Sequence, residues 1–228
     1  MKMITNRPAE LLKHLPVFKV CSEEELDQLG QRMTHRVFDR HSLIYEQGQA
    51  SRTLYFLVKG TVKRGSHSVG GREIIKEVLS PITMFGELGM VGEERRSDFA
   101  MAMNDEVHIL SLSLSHLRWL LQRNHNLAMN FLQWVGTRLR HTERRLESMV
   151  TKDARERIID FILESARKNG KRVGLETLVR HCLTQQDIAN MTGTSRQTVT
   201  SVLNELKRNN LIYFNRRSIL IRDLDKLS

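Results

Sequence analysis

Residues Thr184–Lys207 read TQQDIANMTGTSRQTVTSVLNELK. Thr184 is a good N-cap for a helix over Gln185–Met191, with Ile188 and Ala189 on its inner side. Thr192-Gly193-Thr194 makes a tight turn, and Ser195 caps a second helix. In that second helix Val199, Val202, Leu203 and Leu206 recur at helical spacing and form the buried side. Two short helices joined by a glycine-containing turn are a helix-turn-helix. The exposed N-terminal side of the second helix carries Arg196, Gln197, Thr200 and Ser201, all with side chains that can reach base edges. Arg suits guanine N7/O6 and Gln suits adenine N6/N7. Downstream, Leu211–Phe214 and Ser218–Arg222 flank Asn215-Arg216-Arg217, a hairpin with a basic tip. Helix-turn-helix and hairpin together predict a winged helix-turn-helix. Thr184, Ser195, Arg216 and Arg217 are placed for phosphates, which position a protein on a duplex without specifying sequence.

The charge distribution agrees. The 228 residues carry a formal net charge of +10, with a sequence pI near 10.0. Residues 151–228 hold 15 Lys+Arg against 9 Asp+Glu, and residues 1–150 hold 21 against 17. The basic excess is therefore denser at the C-terminal end, as a polyanionic partner requires.

Upstream of the motif lies a different pattern. Leu132, Val135, Leu139, Thr142, Leu146 and Met149 alternate spacings of three and four, a coiled-coil seam. Arg138, Arg140, Glu143, Arg144, Arg145 and Glu147 flank it, so the apolar stripe is narrow and suits a partner helix. Counted from Asn126, the helix would be roughly 35 Å long. Thr142 is the odd member: it is either a register-setting polar residue or a handle for a ligand held at a dimer interface. Val150–Asp153 reads as a joint, with Asp153 and Glu156 opening the next helix, whose apolar side is Ile158, Ile159, Ile162 and Leu163.

Before the seam the chain changes character twice. Residues 8–30 read as short helices, broken at Pro16 and restarted by a capping box at Ser22 and Glu25. From Thr34 to Ser113 short apolar runs (Ser42–Tyr45, Thr53–Val58, Glu73–Leu79, Phe99–Met103 and Val107–Leu112) alternate with glycines, the pattern of an antiparallel barrel or roll. The expected fold is α+β: a sensor domain over 1–125, a dimerisation helix over 126–150 and a DNA-binding domain over 151–228.

Several function classes are disfavoured. Cys21 and Cys182 are far apart and without CxxC spacing, which argues against a zinc ribbon or a four-cysteine iron–sulfur cluster and fits a reducing cytoplasm. The nine histidines show no metal-ligand spacing, so no metal site is expected. A haem held by one histidine would leave no sequence pattern. There is no apolar run of membrane-spanning length, no signal-peptide pattern and no P-loop, so the reading is a cytoplasmic protein that is not an enzyme.

The whole pattern resembles the cyclic-AMP receptor protein / fumarate-nitrate regulator (CRP/FNR) superfamily of bacterial transcription factors. The resemblance implies a homodimer on a palindromic double-stranded site, with RNA polymerase as a further partner and Gln185 among the DNA-contacting residues. It also covers Phe85-Gly86-Glu87-Leu88-Gly89 and Arg96-Ser97. In cyclic-nucleotide-binding members the matching segment of the β-roll (jelly roll) is the phosphate-binding cassette. There Gly86, Glu87 and Leu88 would form the turn, with Glu87 accepting from the ribose 2′-hydroxyl. Arg96 and Ser97 would hold the phosphate, and Thr142 would contact the base. The effector implied is a cyclic nucleotide such as cAMP, another small molecule, or none. Three departures stand out. The loop before Arg96 is about one residue short, making Arg95 an alternative phosphate partner. Asp98 stands where a small neutral residue is usual, and Glu143 replaces a serine that reaches the adenine from the second subunit. Gln197 and Ser201 also differ from the cyclic-AMP receptor, so the operator should diverge inside the half-site. The alternative function is a cyclic-nucleotide-binding module whose output is a protein partner rather than DNA.

Overall fold

The computed structural model describes residues 8–227, so the first seven residues of the expected sensor domain and Ser228 lie outside it. Two compact units divide the chain: one holds the residues up to Arg72 with Lys76–His141, the other Glu73–Ile75 with Thr142 onward.

In the first unit, α1 (Pro8–Lys13) and α2 (Glu23–Gln31) precede eight strands, of which only the first three residues of β5 fall to the other unit. These are β1 (Thr34–Phe38), β2 (Leu43–Tyr45), β3 (Thr53–Lys59), β4 (Val62–His67), β5 (Glu73–Leu79), β6 (Thr83–Phe85), β7 (Phe99–Ala102) and β8 (Val107–Ser113). They form two four-stranded sheets, ordered β1-β8-β3-β6 and β2-β7-β4-β5. The expected roll is present. Its interior is filled by Tyr45, Leu57, Val62, Phe85, Ala100, Val107 and Ile109, among others. The other face of β3 and β8 is covered as well: Leu54, Phe56, Leu110 and Leu112 pack against Leu11, Leu12, Phe18 and Leu117. A strand covered on both faces loses the polar alternation of a half-exposed one, which explains the nearly continuous apolar run Leu54–Val58. The capping box at Ser22 is formed reciprocally with Glu25.

After α3 (Leu114–Leu121) comes α4 (His125–Thr151), 27 residues or about 40 Å of helix. Leu127 and Phe131 anchor its first two turns in the helical layer. Beyond that, Val135 still packs against the core, while Leu132, Leu139 and Leu146 are uncovered at 62%, 59% and 66% exposed.

In the second unit Asp153 caps α5 (Ala154–Asn169), again with a reciprocal capping box. A hairpin of β9 (Lys171–Val173) and β10 (Glu176–Arg180) follows, then α6 (Gln185–Thr192), α7 (Arg196–Arg208), β11 (Ile212–Phe214) and β12 (Ser218–Ile221). Besides the expected helices and terminal hairpin, the domain therefore contains a further hairpin. The β9–β10 hairpin joins the wing in one sheet ordered β11-β12-β10-β9.

Candidate DNA interface and effector site

The helix-turn-helix is assembled by its own caps. The Thr184 hydroxyl accepts from the backbone N–H of Asp187, whose carboxylate accepts in return from the backbone N–H of Thr184 at 2.8 Å. Gly193 ends α6 in the left-handed region at φ 66°, and the Ser195 hydroxyl accepts from Thr198 N–H at 3.0 Å. Val199, Val202, Leu203 and Leu206 are buried, which leaves Arg196, Gln197 and Ser201 exposed on α7. The structure thus presents these three side chains on the free face of one helix. Thr200 and Gln185 are brought together differently: the Thr200 hydroxyl donates to Gln185 Oε1 at 2.7 Å and lies 2.9 Å from the Arg196 carbonyl. That pairing ties the start of α6 to the first turn of α7. Arg216 and Arg217 stand exposed at the wing tip, where the Asn215 side chain accepts from the backbone of Arg217 and Ser218.

Arg145, named above only as a charged flank of the seam, and Arg157, not named there, hold the turn. Arg145 donates to the Met191 carbonyl at 3.0 Å, and Arg157 to the Thr192 carbonyl at 2.8 Å and the Lys152 carbonyl at 2.5 Å. A Cβ on Gly193 would lie 3.1 Å from the Met149 sulfur. The last turns of α4, through Arg145 and Met149, and Arg157 of α5 therefore hold the C-terminal end of α6, and Arg157 ties it to the Val150–Asp153 joint. Carbonyls left open at a helix end are natural acceptors for such guanidinium groups.

The second site lies in the β-roll. Gly86 has φ 83°, and a Cβ there would meet the Arg96 guanidinium at 2.9 Å, so glycine is required twice over. Glu87 opens a short 3-10 turn over Glu87–Met90 and is 3% exposed; Leu88 is half-buried. Arg96 is buried. It donates to the Gly86 carbonyl at 2.8 Å and to the Thr53 carbonyl, and its guanidinium carbon lies 4.5 Å from the centre of the Tyr45 ring. Ser97 is exposed and donates to Glu93 Oε1 at 2.7 Å. Arg95 donates to the Gly48 carbonyl at 3.0 Å. Thr142 follows one residue after the first unit ends.

Beside the turn is an ion network that the motif does not reveal. Arg64 donates to Asp98 Oδ2 through Nε at 3.1 Å and through a terminal nitrogen at 2.7 Å, and the Tyr45 hydroxyl donates to Asp98 Oδ1 at 3.0 Å. The other terminal nitrogen of Arg64 stands 3.5 Å from Glu77 and 4.0 Å from Glu87. Arg138 of α4 reaches the same carboxylates, 2.6 Å from Glu77 and 3.2 Å from Glu87. Burial alone would push the Arg64 pKa down; the surrounding Tyr45, Glu87, Asp98 and Glu77 outweigh it and raise it. Burial pushes the Tyr45 hydroxyl up. An inward Arg64 two residues after the inward Val62 was a readable signal, but Val62–His67 is too polar to announce itself as a strand.

A β-roll followed by a long helix and a winged helix-turn-helix defines a DNA-binding transcription regulator with a built-in sensor domain. Comparison with known proteins agrees. The cyclic nucleotide-binding domain family matches residues 35–124 and the Crp-like helix-turn-helix domain family matches residues 156–228. A CRP-like cAMP-activated global transcriptional regulator of Mycobacterium tuberculosis is 28% identical over 220 residues, 96% of this chain and 97% of the relative. A global nitrogen regulator of Synechocystis is 29% identical over 192 residues, 84% and 85% of the two chains. The solved structure of a CooA mutant from Carboxydothermus hydrogenoformans superposes with a TM-score of 0.75 at 25% identity, covering 93% of this chain and 94% of that one. The chain belongs to the CRP/FNR family of transcriptional regulators. Among the described residues no helix is long and apolar enough to cross a membrane.

Proposed function

We propose that this chain is a homodimeric, sequence-specific DNA-binding regulator, not an enzyme, in which α4 carries the state of the β-roll to the winged helix. Residues 1–125 act as sensor, 126–150 as dimer helix and 151–228 as DNA reader. The observation that carries the dimer is the uncovered seam. Leu132, Leu139 and Leu146, each about three-fifths exposed, line one stripe of a helix with charged flanks, and a second copy supplies the matching stripe. Val135, Thr142 and Met149 complete it. Arg196, Gln197 and Ser201 read bases. Thr184, Ser195, Arg216 and Arg217 bind phosphates, and Gln185 with Thr200 sets the pitch of α7. RNA polymerase is the partner that such a regulator addresses.

Control follows from a two-state equilibrium of α4 that the β-roll biases by differential contacts. The family's usual effector site would comprise Gly86, Glu87, Leu88, Arg96, Ser97 and Thr142. One relative's name specifies cAMP and the other's names no ligand. For this chain, an anionic effector would have to draw Arg96 away from the two carbonyls and the Tyr45 ring that hold it. Selection from a pool of randomised duplexes tests the reading of the C-terminal unit. The expected result is a two-fold symmetric sequence with half-sites about one helical turn apart. Recovery of no enriched sequence would refute it.

A further inference from the structure

The ion network beside Gly86 is built from three carboxylates and two guanidinium groups, and one guanidinium comes from the helix read above as the dimer helix. Glu87, Asp98 and Arg64 have side chains 4%, 2% and 6% exposed, so their charges are out of water. Glu77 and Arg138 are about three-quarters buried. Without Arg138, Glu77 and Glu87 would lose their nearer guanidinium, and the named groups would be three carboxylates against one guanidinium. Such a surplus of buried negative charge demands a cation and repels an anion. Glu87 is already short of donors: its Oε2 is buried with no hydrogen-bond partner among the described residues. Arg96, the one other buried guanidinium at the turn, is committed to carbonyls of Gly86 and Thr53.

We propose that Glu77, Glu87 and Asp98 form a cation site whose occupant in this state is the chain's own Arg138, and that the ligand class able to replace it is a guanidinium. This deepens the regulatory reading of α4 and rests on it. Arg138 stands one turn after Val135 and one turn before Thr142, so it lies along the seam. Its guanidinium also lies 5.2 Å from the centre of the Trp134 ring, which keeps its stem against the helix. Seating Arg138 on Glu77 and Glu87 fixes the rotation of α4 where the seam becomes exposed. Release of Arg138 frees that rotation. The device needs no cyclic nucleotide, because a tethered side chain competes at a high effective concentration.

Chemical rescue tests the proposal on the full-length chain. Arg138→Ala removes the tethered group, and Arg138→Met does so while keeping a stem against Trp134, in case the alanine variant does not fold. Thermal unfolding is followed by tryptophan fluorescence with 10 mM agmatine, with tetramethylammonium at equal ionic strength, and with 1 mM cAMP. Agmatine should raise the melting temperature of the folded variant by about 3 °C and that of the unaltered chain by less than about 1 °C. Tetramethylammonium and cAMP should leave both unmoved. Adding Glu77→Gln or Glu87→Gln should abolish the agmatine effect. An equal shift in the unaltered chain, a shift that survives both glutamines, or a shift with cAMP instead would overturn it. This readout needs no DNA, so a failed duplex selection would refute the regulator reading separately.

Discussion

Asp98→Ala isolates the cost of the network. The carboxylate is 2% exposed and accepts from two of the three Arg64 nitrogens and from the Tyr45 hydroxyl. Truncation leaves a guanidinium with a 6% exposed side chain facing Glu77 at 3.5 Å and Glu87 at 4.0 Å, too far for good hydrogen bonds. Breaking a buried pair from one side costs about 3–5 kcal/mol. The two remaining carboxylates retain part of the field, which places the expectation near the lower end, about 3 kcal/mol. At about 2–4 °C per kcal/mol for a chain of this size, the melting temperature should fall by about 6–12 °C. Both tryptophans, Trp119 and Trp134, belong to the β-roll unit, so their fluorescence reports its unfolding alone. Ser97→Ala, one residue away but exposed and with its hydroxyl bonded to Glu93, should change stability by less than about 0.5 kcal/mol. Combining Arg64→Met with Asp98→Ala should recover more than half of the loss, since an apolar side chain no longer strands a charge. A drop below 2 °C for Asp98→Ala, or a double variant as unstable as the single, would refute the reasoning.

Three other outcomes are expected. Leu139→Asp should dissociate the dimer, because each buried seam leucine stabilises by about 1.5–3 kcal/mol and each substitution counts twice in a two-fold interface; sedimentation velocity showing an unchanged dimer would contradict this. Arg196→Ala should cost about 1–3 kcal/mol of operator binding and relax preference at one guanine, as read by competition between operator variants. A loss uniform over all sequences would make Arg196 a phosphate contact. Burial lowers the pKa of His181, so the unfolded chain takes up its proton at higher pH than the folded one. Stability should therefore fall as pH drops below about 6.5, until the lowered folded value is passed. His181→Asn should flatten that slope in urea melts between about pH 5 and 6.5, and an unchanged slope would place the titration elsewhere.

The parts of this fold visible in the sequence are those written in local chemistry. The caps at Ser22, Asp153, Thr184 and Ser195 each form the hydrogen bond that their spacing predicts. The apolar positions of α7 are all buried. Strands β1, β4, β6 and β9 were not legible, for two reasons. THRVF, VKRGSH and KRV are polar segments in which pairing with neighbours, not burial, decides the conformation. TMF is three residues long, too short to show a period. The ion network was hidden for a related reason. Arg64, Glu77, Glu87, Asp98 and Arg138 come from separate elements of the first unit, and only the topology of the roll brings them together. Arg138 in particular looked like an ordinary charged flank of the seam.

The most direct test is the mass of the complex formed on one symmetric duplex, measured by sedimentation equilibrium at moderate salt. Two chains per duplex are predicted, with a duplex carrying a single half-site bound far more weakly. One chain per duplex, with equal affinity for the half-site, would contradict the claim that α4 pairs two copies to read DNA.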